Sequence, residues 1–331
     1  MLLEIVVSLT TRRGLRGVMV FRSLVLIAAL GFMALAGCWR NDAAPRAQGP
    51  VRIVVTIPPL RGLAQALAPE GASVRALMPP GRSEHGYEFT PSDIAAVGKA
   101  DVVVCVGLGL EPAIDRFVRQ NKSNRRRVVV LGEALGIKGD DHAHHDHGPD
   151  EPCDHAVDVH VWLDPVLVRR AVPALRSAIE GALGSAGALT DAERSRLDAA
   201  EAALLASLDE LDAEHRAALG PLKGAAIVTH HAAFNRLAER YGLKVAAVIR
   251  PIEGNDPTPD QIAQVVEAIR RDKIAVIFVE PQFSPAAAGR IAERTGTKIA
   301  RLDPLGSGDY FAFMRANLKE LVDHLAPPGP P

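Results

Sequence analysis

Eight short runs of β-branched and aliphatic residues, in two sets of four, constrain this chain more than any other feature. The first set is VRIVVT (51–56), SVRAL (73–77), DVVVCV (101–106) and RVVVL (127–131). The second is AAIVT (225–229), KVAAVI (244–249), IAVIFV (274–279) and TKIARL (297–302). The runs are continuous rather than alternating and lie between helix-like stretches, the pattern of parallel strands covered on both faces. The fold class is therefore α/β, with two (β/α) lobes of parallel-type sheets. Between the sets, residues 190–221 carry Leu197, Leu204, Leu208 and Leu211 on one helical stripe. Thr190 with Glu193 reads as a capping box at its start, and Gly220 with Pro221 ends it. A helix of about thirty residues reaches roughly 45 Å, enough to serve as a rigid strut joining the lobes.

The length of 331 residues suits two lobes plus short extensions. A formal charge of −1 supplies no basic field, so nucleic acid is excluded as a partner. Near the N-terminus, Arg22 precedes the apolar run SLVLIAALGFMALAG and then Cys38. That run is too short and too abruptly ended for a spanning helix, and has the order of a secretory signal. Leu35, Ala36, Gly37 and Cys38 resemble a bacterial lipobox, in which the signal is cut before the cysteine and that cysteine is lipidated. Met19 offers a conventional signal start. The expectation is a periplasmic or cell-surface lipoprotein held to the membrane by its lipid anchor. The other two cysteines provide no disulfide framework: Cys105 lies in an apolar strand run, and Cys153 lies among histidines. The expected organisation is a signal and lipobox over 1–38, a linker over 39–50, an N-terminal lobe over 51–186, a linking helix over 187–220 and a C-terminal lobe over 221–331. The tail APPGPP is expected to be disordered.

Open α/β sheets bind ligands in the crevice beyond the carboxyl ends of their strands. His230 and His231 directly follow AAIVT, Glu280 follows IAVIFV and Asp303 follows TKIARL. In the first half, PPGRSEHGYEFTPSD trails the second strand and His160 lies in DVHVWLDP. Imidazoles and carboxylates thus gather at crevice ends. His215, on the long helix, and His324, in the last helical segment, read as structural.

These blocks together resemble the solute-binding proteins of zinc and manganese ABC importers, of the ZnuA and TroA type, across about residues 51–325. GRSEHGYEFTPSD (81–93) looks like the first ligand loop of that family and carries His85; DVHVWLDP (158–165) looks like the second and carries His160. THHAAFNRLAERYGL (229–243) looks like the third, and its register against Tyr241, Gly242 and Leu243 selects His231 and leaves His230 unmatched. RLDPLGS (301–307) resembles the stretch that presents Asp303. The resemblance implies a metal cleft between lobes, with His85 and His160 from the first and His231 and Asp303 from the second. Glu84, Asp303 and water stay open as the fourth donor, and Glu280 is expected to support the site without binding metal. Three imidazoles and a carboxylate suit Zn²⁺ as the transported ligand, whereas Mn²⁺ favours more oxygen donors. The implied partners are an importer permease and its ATPase, with the chain acting as a monomer.

Two rivals from other classes stand beside this reading. A metallohydrolase would use Glu84 or Glu280 as general base, but no HExxH pattern and no nucleophile elbow occur. The other is a surface adhesin or zinc-storage lipoprotein.

Just before the second ligand block, DDHAHHDHGPDEPCDH (140–155) packs five histidines and six acidic residues into sixteen positions. Its polar, Gly/Pro-containing composition predicts a surface loop, and His142, His144, His145, His147 and His155 form an auxiliary metal-binding loop. A flexible loop must lose conformational entropy to converge several imidazoles, whereas a cleft fixed by sheets has largely lost it already. Deletion of residues 140–155 is therefore expected to leave one tight zinc site, as read by calorimetry; loss of that site with the loop would reverse the assignment.

Overall fold

Each apolar run becomes a strand because it is flanked by polar or Gly/Pro-rich turns and has helices to cover both of its faces. The computed structural model describes residues 49–138, 157–251 and 256–326. The lipobox with Cys38, the auxiliary loop with Cys153 and the final residues 327–331 lie outside the described residues. The described residues belong to one compact unit.

The first sheet contains β1 (Arg52–Val55), β2 (Ser73–Ala76), β3 (Val102–Cys105) and β4 (Arg127–Val130), ordered β2-β1-β3-β4 and parallel throughout. The second contains β5 (Ala226–Thr229), β6 (Lys244–Val248), β7 (Val276–Val279) and β8 (Lys298–Arg301), ordered β6-β5-β7-β8 and also parallel. The eight runs of the sequence are these eight strands. The two sheets share one winding, and each has its switch point beside its first strand, between β1 and β3 or between β5 and β7. A crevice opens at such a point because the neighbouring connections leave toward opposite faces.

Helices α1 (Pro58–Leu67), α2 (Pro91–Lys99), α3 (Pro112–Gln120) and the single turn α4 (Leu131–Ala134) serve the first lobe, followed by α5 (Pro165–Ser185). The long helix α6 (Asp191–Leu219) follows, and it buries Leu197, Leu204, Leu208, Leu211 and Leu219. Its start departs from the expected capping box. Thr190 accepts a hydrogen bond from the Glu193 amide, but the Glu193 carboxylate turns to Arg196 at 2.6 Å, a stronger charged partner than a backbone amide. His215 is fully buried on α6, where its Nδ1–H donates to the Leu211 carbonyl at 2.8 Å. His324 makes the same bond to Glu320. Both are structural histidines.

The second lobe is completed by α7 (Asn235–Tyr241), α8 (Pro259–Asp272), α9 (Ala286–Thr295) and α10 (Tyr310–Leu325). One continuous apolar core runs from Ile53, Leu60 and Trp162 through the α6 stripe to Phe234, Leu305 and Tyr310, so the lobes are welded as well as linked. At Gly62 on α1 an added Cβ would stand 2.9 Å from the Gly308 carbonyl oxygen and the Tyr310 amide; only glycine admits so close an approach. Among the described residues no helix is long and apolar enough to cross a membrane.

Leu208 lies at the centre of this joint and is 1% exposed. Leu208→Ala is expected to destabilise the fold by about 3 kcal/mol, through lost transfer energy and the cavity left behind. A urea titration should show the fall in midpoint; an unchanged midpoint would contradict the strut's packing role.

Candidate metal centre

Four side chains from three segments converge between the lobes: Glu84, His85, His160 and His231 present donor atoms that all lie within 4.8 Å of one another. Glu84 and His85 sit in the turn between β2 and α2. That turn is pinned by Tyr87, whose hydroxyl donates to Asp93 Oδ2 at 3.0 Å. Asp93 also completes a capping box with Thr90 at the start of α2. His160 precedes a single 3₁₀ turn, Val161–Leu163, after which Asp164 caps α5 by accepting from the Val166 and Leu167 amides. His231 leaves the end of β5 at the switch point of the second sheet, beside Glu280 at the end of β7.

The Nε2 atoms of His85 and His231 each lie 3.1 Å from Nε2 of His160. Glu84 Oε1 lies 3.5 Å from Nε2 of both His160 and His231. A tetrahedral ion with donors at about 2.0–2.1 Å requires donor–donor edges of about 3.3–3.4 Å, so the four atoms need only small adjustments to surround one. Neither Glu84 oxygen has a hydrogen-bond partner among the described residues, although the side chain is fully enclosed. A buried carboxylate left in this way needs a cation or proton beside it. Glu84, His160 and His231 are buried, while His85 is exposed and forms the solvent side of the cluster.

Two further carboxylates orient the rings. Asp158 Oδ1 accepts from the His160 amide at 2.9 Å and lies 2.8 Å from His160 Nδ1. Glu280 Oε1 lies 2.6 Å from His231 Nδ1 and accepts from the His231 amide at 3.2 Å. An ionised carboxylate can only accept, so Nδ1 carries a proton in both rings and it is Nε2 that offers a lone pair once the ring is neutral. Sequence reasoning assigned Glu280 to support and missed Asp158. The signal was present as D-x-H, a spacing that lets a carboxylate fold back on the ring two residues later.

Asp303 stands outside the cluster. Its Oδ1 accepts from Gln282 Nε2 at 2.8 Å and from the Leu305 amide at 3.0 Å, and its backbone is bridged by Asn317. It follows β8, an edge strand one removed from the β5–β7 switch point. Of the two carboxylates expected as candidate fourth donors, Glu84 lies in the cluster and Asp303 does not. His230 also stands apart, with its ring packed on Phe283 at 4.8 Å between centroids.

Burial works against charge throughout the site, and local attraction reverses it where a partner is close. For Glu84 the pull of the His160 and His231 rings outweighs burial and holds its carboxyl well below the usual range. Burial depresses His231 too, but Glu280 and Glu84 overcome it and raise the ring to about 9. His160 is likewise raised, against burial, by Asp158 and Glu84. Although His85 stands on the solvent side, desolvation of its ring by the neighbouring cluster pushes it down to about 4, which Glu84 offsets only in part. In the metal-free form the Glu84 charge therefore favours protonation of the facing rings, His231 above all.

The fold and this centre define a two-lobed binding protein whose interlobe cleft offers three imidazoles and one carboxylate to a single point. The chain belongs to the family described as "Zinc-uptake complex component A periplasmic", whose sequence model matches residues 53–324. It is similar to the zinc-binding lipoprotein AdcA of Streptococcus pneumoniae, 28% identical over 318 residues; the match covers 92% of this chain and 61% of AdcA's length. It is also similar to the high-affinity zinc uptake system protein ZnuA of Yersinia pestis, 27% identical over 274 residues, covering 77% of this chain and 83% of the relative. A crystal structure of ZnuA superposes with a TM-score of 0.68 at 23% identity, covering 84% of this chain and 100% of that one, a likeness of fold.

Because the raised rings must surrender protons before Nε2 can bind a metal, zinc binding at pH 7 is expected to release about one proton or more per ion. Apparent affinity should rise with pH until it levels near the His231 value of about 9. Calorimetry in buffers of different ionisation enthalpy reads the proton count, and heats independent of buffer would contradict this charge balance.

Proposed function

We propose that this chain is an extracytoplasmic solute-binding protein that captures Zn²⁺ in the interlobe cleft and delivers it to an ABC importer. Glu84, His85, His160 and His231 would be the ligands, and Glu280 and Asp158 the groups that hold two of the rings. The observation that carries the reading is the convergence of three imidazoles and one carboxylate within 4.8 Å of one another, with His160 Nε2 3.1 Å from the other two Nε2 atoms and Glu84 Oε1 3.5 Å from those of His160 and His231. Three nitrogens and one oxygen suit a borderline ion in tetrahedral surroundings better than Mn²⁺, which favours oxygen.

The permease and ATPase of the importer are the partners this reading requires. We assign residues 1–38 to export and lipidation at Cys38, with residues 39–50 as the tether, so the lobes would work at the membrane's outer side. The division into an N-terminal lobe over 51–186, a linking helix over 187–220 and a C-terminal lobe over 221–331 accords with the two windings. The segment 140–155 would gather zinc more weakly through His142, His144, His145, His147 and His155.

A carrier explains the carboxylates better than a hydrolase does. Glu280 is bonded to the ring and amide of His231, and Glu84 faces the donor point itself. Neither is a free base beside an open coordination position.

Chain purified from residue 39 onward is expected to carry or take up one zinc tightly and to prefer it over manganese in direct competition. His85→Ala and His231→Ala should each weaken zinc by more than about 100-fold, beyond the 10–100-fold typical for lost supporting groups. Tight binding by both variants would contradict the ligand set, and a preference for manganese would contradict the cargo.

A further inference from the structure

The two carboxylate–imidazole pairs are built differently. Glu280 and His231 both end strands of the second sheet, so their bond is internal to one lobe. Asp158 and His160 lie on a segment before the 3₁₀ turn that is outside any strand, and the second lobe grips this segment. Arg236 on α7 donates Nε to the Asp158 carbonyl at 3.0 Å and bonds it through Nη2 as well; Nε also lies 3.6 Å from Asp158 Oδ2. A few residues on, Arg240 Nε donates to Asp164 Oδ2 at 2.9 Å, Trp162 Nε1 to the Pro304 carbonyl at 2.7 Å, and the Tyr310 hydroxyl to the Trp162 carbonyl at 2.9 Å.

We propose that Arg236 is a positioning residue for metal binding, holding Asp158 from the opposite lobe so that His160 aims its Nε2 at the donor point. The chain of contacts is short: the arginine fork on the Asp158 backbone, the Asp158 carboxylate on His160 Nδ1, and His160 Nε2 at 3.1 Å from both other imidazoles. Without Arg236, Asp158 keeps its bond to the His160 amide, but the pair can turn together as a unit. The ring then loses its fixed direction, and the ion loses one of its two deeply buried imidazoles. Metal affinity thereby depends on a single contact across the junction, and loosening one arginine offers a route to release while the fused core stays intact. Glu280 cannot serve this purpose, because its hold on His231 survives any movement between lobes.

The inference rests on the zinc-carrier reading, and the experiment separates the two. Zinc affinity is measured by chelator competition for the full chain, Arg236→Gln, Arg236→Lys, Asp158→Asn and the Arg236→Gln/Asp158→Asn double variant, with urea midpoints for each metal-free form. The visible absorption of the Co²⁺-loaded proteins is recorded because it reports ligand geometry. Arg236→Gln and Asp158→Asn should each weaken zinc by about 10–100-fold, and the double variant should be no worse than the poorer single one, since both act through one ring. The cobalt spectrum should shift in Arg236→Gln and move back in Arg236→Lys, which keeps a cationic donor and is expected to fold even if the glutamine variant does not. Wild-type affinity and spectrum in Arg236→Gln, or losses that add in the double variant, would overturn the positioning role alone. Failure of the unaltered chain to bind zinc would overturn the carrier reading beneath it.

Discussion

The Glu84 carboxylate, enclosed by protein and faced by imidazole nitrogens, sets the terms for everything around it. An ionised carboxyl in that position must be balanced, by a proton on a facing imidazole or by a cation that takes its place. Three lone pairs pointed at one spot repel one another unless positive charge lies between them. The same atoms therefore make the metal-free form dependent on protons and the proposed loaded form dependent on zinc. Holding such a cluster together requires strong scaffolding, since a flexible chain would simply turn its imidazoles outward.

The scaffolding comes from two sheets of identical winding, fused by packing rather than hinged. The α6 stripe, the close approach of α1 to the second lobe at Gly62, and the hydrogen bonds of Trp162 and Tyr310 all cross the junction. Of the four clustered side chains, His231 alone comes from a sheet switch point. In the first sheet the equivalent crevice is filled by Glu111, whose carboxylate accepts from Thr56 Oγ1 and the Val106 and Gly107 amides. The first lobe therefore supplies its share of the cluster from longer segments. These must be held by their own devices: the Tyr87–Asp93 bond for Glu84 and His85, and the proposed Arg236–Asp158 latch for His160.

Most of the fold was legible because it rests on local pattern. All eight strands lie within their β-branched runs, and the four leucines of the long helix are buried as their spacing predicts. The candidate site was legible where a clustered side chain lies just past a strand, as His231 does, or where a block resembled a family, as with His85 and His160. Asp303 shows the limit of the strand-end rule. It follows a strand, but β8 is an edge, and the residue is absorbed by Gln282, Leu305 and Asn317. Asp158 left a local D-x-H signal that went unread, whereas Arg236 and Arg240 were not assigned because their roles come from contacts between lobes. A helical arginine 78 residues from its partner leaves no periodic trace.

The central claim is that side chains from both lobes surround a single ion, and diffraction from zinc-loaded crystals at the zinc absorption edge tests it most directly. The account predicts one strong anomalous peak bonded at about 2.0–2.1 Å to Nε2 of His85, His160 and His231 and to an oxygen of Glu84. A peak held by one lobe alone, or bonded to Asp303 in place of Glu84, would contradict it.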